Sequence, residues 1–131
     1  MKRSALFTLM TVLILAVAAL PVLAGGMGDH MKKGDTVSVT GEVIDSACYI
    51  KMGAKGAGHA ECAEACAKAG VPLAILQDGT NNVIWVASNK DAHSVNTDLM
   101  PYVAKKVTVT GHYAERGGAK LLVMDSVQPA S

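Results

Sequence analysis

Three cysteines and one histidine lie within a nineteen-residue window, and the sequence contains no other cysteine. These four residues are Cys48, His59, Cys62 and Cys66. Thiolate sulfur and imidazole nitrogen are donors that zinc and copper(I) accept, and four of them complete a closed tetrahedral shell. The spacing therefore predicts a metal site that holds zinc or copper(I) through these four residues.

Disulfide formation is the competing hypothesis, because the compartment of an exported protein permits it. Three cysteines cannot all pair within one chain, and Cys62 and Cys66 on one helix have poor geometry for bonding each other. Cys48 would then pair with one of them and leave a spare thiol. Such a chain is either a disulfide-stapled interaction module that binds a peptide, glycan or partner protein, or a thiol-disulfide redox protein that uses Cys62 and Cys66.

A helix is predicted to position two of the cysteines. Residues 59–68 are dense in alanine and glutamate, and Gly70 and Pro72 follow them as stop signals. Cys62 and Cys66 are four residues apart and share one face of such a helix, with the histidine one turn earlier. The three side chains are therefore expected to converge.

Cys48 must reach this helix from outside it. The glycine-rich stretch 53–58 supplies the conformational freedom to bring Cys48 to the other ligands. Asp45, which comes shortly before, has two candidate roles: it could cap a turn, or it could hydrogen-bond a metal-bound His59.

Residues 1–24 are predicted to be a secretory signal peptide. Lys2 and Arg3 precede a long uncharged run, and residues 21–24 place small side chains where a cleavage site requires them. An uncleaved membrane anchor is the alternative, because residues 5–24 could just span a bilayer. Cleavage predicts a periplasmic or secreted protein with no stable membrane insertion.

The residues after the predicted cleavage point divide into an arm and a domain. Residues 25–34 are rich in glycine, methionine and lysine without apolar periodicity, which predicts a flexible arm. Its Met27, His30 and Met31 could recruit copper(I), although a solvated linker that binds nothing has the same composition. Residues 35–131 have room for one small domain with a single core.

Composition argues against several classes of function. Without Lys2 and Arg3, the sequence has ten basic residues and eleven acidic ones. This balance gives no excess positive charge with which to bind nucleic acid. No nucleophile elbow, phosphate loop or informative carboxylate pair occurs, so the sequence does not favour an enzyme. The partners that it suggests are a metal ion and another periplasmic protein.

Strands are predicted from alternation and from short apolar runs. Valines alternate with polar residues from Thr36 to Val43, which is typical of a half-buried strand. Val37 to Gly41 and Val107 to Gly111 share the pattern Val-x-Val-Thr-Gly, and a glycine within a strand indicates a bulge or sharp bend. The other strands are expected at 73–77, 83–87 and 121–127.

One short helix or helical turn is predicted between the third and fourth strands. Residues 89–103 lack strand alternation, offer Asn96 or Thr97 as a helix cap and end near Pro101. Trp85, in the third strand, is expected in the core.

This order of five strands, with a helix between the third and fourth, resembles the OB-fold, a small partly open Greek-key barrel. The twin Val-x-Val-Thr-Gly strands are similar to those of small exported bacterial OB-fold domains. The resemblance covers about residues 36–127. It implies a mainly β, five-stranded OB-like Greek-key barrel, with a short cysteine-bearing helix inserted after strand 1 and a short helix between strands 3 and 4. It implies no particular activity, because the OB-fold hosts nucleic-acid, sugar and protein binders alike.

Overall fold

The computed structural model describes residues 36–131. The predicted signal peptide and arm, residues 1–24 and 25–34, lie outside this range. Within it the chain is mainly β, as the sequence predicts, and has no helix that is long and apolar enough to cross a membrane. The elements in chain order are β1 (Thr36–Asp45), α1 (Ser46–Met52), α2 (Ala60–Lys68), β2 (Leu73–Gln77), β3 (Val83–Ser88), α3 (Val95–Leu99), β4 (Lys106–Arg116) and β5 (Ala119–Pro129).

The five strands form one sheet that closes into a barrel in the order β1-β2-β3-β5-β4. β1 pairs antiparallel with both β2 and β4, and β3 pairs in parallel with β5. A parallel pair needs a long crossover connection, and α3 together with β4 supplies it. The two short helices α1 and α2 both fall in the connection between β1 and β2.

The two Val-x-Val-Thr-Gly segments pair with each other across the seam between β1 and β4. Val39 lies opposite Val109 at the centre, and the first valine of each segment lies opposite the glycine of the other. Ser38 and Thr110, on the solvent side, share a hydroxyl hydrogen bond of 2.9 Å. The register therefore turns the valines of both strands towards one interior.

The glycine of each segment lets its strand approach a second strand closely. A Cβ on Gly41 would overlap the carbonyl oxygen of Leu76, and a Cβ on Gly111 would overlap that of Val123. The pairing of β4 with β5 also shifts register between Thr110 and Gly111. This shift confirms the predicted bulge or bend at Gly111, whereas β1 pairs in regular register at Gly41, where glycine is needed for the close approach of the backbones.

The barrel interior and one outer face are both apolar. The interior cluster includes Val39, Val109 and, from α2, Ala63 and Ala67. On the other face of β1 and β2, a smaller cluster is built from Ile44, Ala74 and Leu76, against which Tyr49 of α1 and Val83 pack. The connection between β1 and β2, residues 46–72, is called the cysteine segment, and both of its helices are therefore attached to the barrel by apolar contacts.

Two predictions about single residues are wrong. Trp85 is only partly buried, because strand alternation points Ile84 and Val86 inward and turns the indole to the outer face. Neither predicted cap residue caps α3, because the helix begins after Ser94, and Asn96 lies within it.

Replacing Val109 with Asp should destabilise the domain by about 3–5 kcal/mol, because Val109 has no exposed surface and the carboxylate would find no partner. Ser126→Asp is the matched control on the exposed side of β5 and should change the free energy of unfolding by less than about 0.5 kcal/mol. Urea unfolding of both variants measures the difference. Equal midpoints for the two variants would show that the inward face is misassigned.

Gly111→Ala should cost about 1–3 kcal/mol or more, since the methyl group would have to push the Val123 carbonyl out of the ladder. Gly58→Ala is the control, because a Cβ there meets nothing within 4 Å. Thermal melting of the two variants tests this, and a Gly111 variant as stable as the Gly58 variant would contradict the close approach.

Candidate metal centre

Asp45 forms the junction between β1 and the cysteine segment. It is the last residue of β1 and the N-cap of α1, where its Oδ1 accepts the N–H groups of Ala47 at 2.9 Å and Cys48 at 3.1 Å. The capping role predicted for Asp45 is confirmed. The cap starts a helix, which the sequence pattern did not predict, and it places Cys48 in the first turn of that helix.

The chain returns from α1 to the barrel through a tethered loop. Gly53 ends α1 in the left-handed conformation at φ 71°, and its N–H bonds the carbonyl of Tyr49 at 2.7 Å. The N–H of Gly56 then donates to the carboxylate of Glu42 on β1. This tether brings the short turn Ala57–His59, and α2 after it, back beside Asp45.

α2 carries its two cysteines beside a face of small residues. Ala63 and Ala67 are buried against the barrel, and their methyl groups allow the helix to approach closely. Cys62 and Cys66 each precede one of these alanines; Cys62 is exposed and Cys66 is partly buried. The predicted helix, with Gly70 beyond its end, is confirmed.

Asn96 of α3 fastens the carboxyl end of α2. Its amide nitrogen donates to the carbonyl oxygens of Ala67 at 3.1 Å and Val71 at 2.8 Å, and its amide oxygen accepts the N–H of Leu73 at 2.9 Å. The last carbonyl groups of a helix have no partner within the helix, and Asn96 gives that of Ala67 a second donor beside the N–H of Gly70. Sequence reasoning missed this role, because the bonded residues lie more than twenty positions away.

The described residues contain two groups of side chains with the spacing of metal ligands. The Sγ atoms of Cys48, Cys62 and Cys66 lie within 4.8 Å of one another. Asp45, Cys48 and His59 form the second group by the same distance, so Cys48 belongs to both. All three cysteines are free thiols. The structure thus gathers the predicted cysteines, places His59 beside Cys48 and adds Asp45 as a further donor.

The carboxylate and the thiols shift one another's pKa values. Burial raises the pKa of Asp45, but the N–H and thiol of Cys48, the thiol of Cys66 and the N–H of Ala47 outweigh it and hold the pKa below its usual value. The Asp45 carboxylate, with smaller contributions from burial and from the neighbouring thiols, raises the pKa of Cys66 to about 12. The same carboxylate, followed by burial, raises the pKa of Cys48.

The remaining histidines of the described residues have partners elsewhere. Nε2 of His93 lies 2.8 Å from Asp98, and Nε2 of His112 lies 3.6 Å from Asp125. Both pairs are outside the two groups of candidate ligands.

Comparison with family models, with curated proteins and with solved structures found no match to this chain.

Asp45→Asn should speed alkylation of Cys66 in the metal-free protein. The pKa of about 12 keeps the thiol protonated at neutral pH, and loss of the carboxylate charge should lower that pKa and raise the thiolate fraction. We expect a rate at least about tenfold higher at pH 8, since each unit of pKa is a factor of ten. The measurement is iodoacetamide labelling in a background with Cys48→Ser and Cys62→Ser. Asp91→Asn, on the exposed surface, is the control, and equal rates for the two variants would contradict the proposed effect of Asp45.

Proposed function

We propose that this protein binds zinc or copper(I) through the three thiols of Cys48, Cys62 and Cys66, with His59 as a neighbouring nitrogen donor. The observation that carries the proposal is the mutual approach of the three Sγ atoms within 4.8 Å. In a tetrahedral zinc shell with Zn–S bonds of about 2.3 Å, sulfur atoms stand about 3.8 Å apart. Small rotations of the side chains therefore suffice to close the thiols around one ion.

The way the segment is held favours a metal over a single disulfide. The three thiols come from two helices, and each helix is fixed to the barrel by its own contacts. These are the Asp45 cap for α1 and the buried alanines with Asn96 for α2. A disulfide needs only two of the thiols, whereas an ion uses all three. The arrangement resembles a pre-organised ligand set.

The scaffold and location belong to the same proposal. The barrel order β1-β2-β3-β5-β4 and the position of α3 between β3 and β4 support an OB-like Greek-key fold for residues 35–131. Together with the predicted signal peptide, they suggest a small exported domain that works in the periplasm or outside the cell. Another periplasmic protein would then supply or receive the ion.

A disulfide-based function is the second candidate, and one observation favours it. Cys48 lies on α1 and approaches Cys62 and Cys66 of α2, so oxidation would staple the two helices and leave one thiol. If Cys66 were used, the spare thiol would be the exposed Cys62. The domain would then act as a stapled interaction module or as a thiol-disulfide redox protein.

Titration of the reduced protein with zinc and with copper(I) separates the two candidates. Replacing any one of the three cysteines with Ser should lower the affinity at least about tenfold, because each removes a thiolate ligand. His59→Ala should have a smaller effect, since water can take the place of the imidazole. His93→Ala, in the His93–Asp98 pair, is the control and should bind like the wild type.

The affinity should also rise with pH. A thiol must lose its proton before it can bind the metal as a thiolate. The raised pKa values of Cys48 and Cys66 make the proton a stronger competitor of the metal ion. We expect about a tenfold gain per pH unit for each proton displaced. Absence of micromolar binding of either ion at neutral pH, with two thiols protected from alkylation, would replace the metal hypothesis with the disulfide one.

A further inference from the structure

Among residues 36–131, two buried polar atoms beside the thiols make no well-formed hydrogen bond. Asp45 is 1% exposed, and its Oδ1 receives two N–H groups; the thiols of Cys48 and Cys66 lie against the carboxylate, but no group makes a well-formed hydrogen bond to its Oδ2. Nε2 of His59 is likewise buried without a partner. Leaving such atoms unsatisfied is unfavourable, and more so for a charged group. A ligand that both atoms contact would remove this cost.

The two residues that carry these atoms belong to one compact set of donors. Asp45, Cys48 and His59 each offer a ligand atom within 4.8 Å of the other two. Asp45 and His59 also line the same narrow crevice between β1 and the loop that precedes α2. Oxygen, sulfur and nitrogen donors in one set suit zinc, which accepts all three, whereas copper(I) favours the soft sulfur donors.

We infer that Asp45, Cys48 and His59 hold a second zinc ion, and that the Cys48 thiolate bridges it to the ion held by the three cysteines. The inference rests on the proposed function, because the bridging thiolate is shared with that site. It assigns His59 to the second ion rather than to the first. Asp45 thereby has two roles, with Oδ1 capping α1 and Oδ2 binding the metal.

Charge favours two ions over one. Three thiolates and one carboxylate carry four negative charges, which two Zn²⁺ ions neutralise, while one ion would leave two negative charges at a partly buried site. Among residues 36–131, no ion pair supplies a cationic side chain to Asp45. Buried charge without compensation is unfavourable, so the second cation stabilises the carboxylate where it lies.

Distances also separate the donors into two sets. Four ligands of one tetrahedral ion must all lie within about 4 Å of one another. The structure instead gathers the ligand atoms into two groups of three that share Cys48. One ion at each group uses every donor with little rearrangement, and external ligands such as water complete each shell.

Native mass spectrometry of the reduced full-length protein, titrated with zinc, tests the inference. Wild type should bind two ions, and Asp45→Asn and His59→Ala should each bind one. Asn caps helices about as well as Asp, so Asp45→Asn keeps α1 in place. His59→Ala is a second variant that leaves the cap untouched. His93→Ala is the control and should keep two ions. Circular dichroism establishes that each variant is folded.

Titration with cobalt(II) supplies a spectroscopic readout. In wild type, the sulfur-to-cobalt charge-transfer bands should grow until two equivalents are bound, because Cys48 contacts both ions. In the Asp45 and His59 variants, the bands should saturate at one equivalent.

Three outcomes overturn the inference. One ion in wild type, with an affinity weakened by His59→Ala, would mean a single Cys3His site, and the proposed function would stand. Two ions in every variant would place the second ion elsewhere. No ion in wild type would refute the inference and the proposed function together.

Discussion

The structure of the candidate site depends on the buried carboxylate of Asp45. The backbone changes from strand to helix at this residue, and the two N–H groups that Oδ1 accepts fix the first turn of α1. The same carboxylate lies against the thiols of Cys48 and Cys66 and raises the pKa values of both. One side chain thus sets the direction of the chain, the position of Cys48 and the charge at the site.

The barrel supplies a frame whose core lies largely outside the cysteine segment. Its closure depends on Gly41 and Gly111, where backbones meet so closely that a methyl group would overlap a carbonyl oxygen. Of the cysteine segment, only Ala63 and Ala67 belong to the interior cluster. Most of the apolar surface that stabilises the domain is therefore buried whether or not a metal ion is bound. The candidate ligands are not needed to form the barrel core.

Periodic and local signals made much of the fold predictable. Alternating valines mark β1 and β4, and the dense alanine and glutamate sequence followed by Gly70 marks α2. These patterns act over a few residues, so the sequence alone reveals them. The shared helix face predicted that His59, Cys62 and Cys66 would converge; the two cysteines do lie together, but the structure groups His59 with Cys48 and Asp45.

Features set by distant contacts were missed or wrong. α1 has seven residues and no strong helical pattern, and it forms because Asp45 caps it and the barrel packs against Tyr49. The outward position of Trp85 follows from the register of β3, which apolar composition cannot reveal. The unsatisfied Oδ2 of Asp45 became evident only once its burial was known.

The amide of Asn96 has a consequence for how the domain opens. It joins α2, the following loop and the first residue of β2 to α3 through three hydrogen bonds. Separating α2 from the barrel would break the bonds to Ala67 and Val71 together, so local fraying of the cysteine helix is suppressed. The Leu73 amide should then exchange its hydrogen only when the barrel itself opens, and the ligand helix and the barrel behave as one cooperative unit.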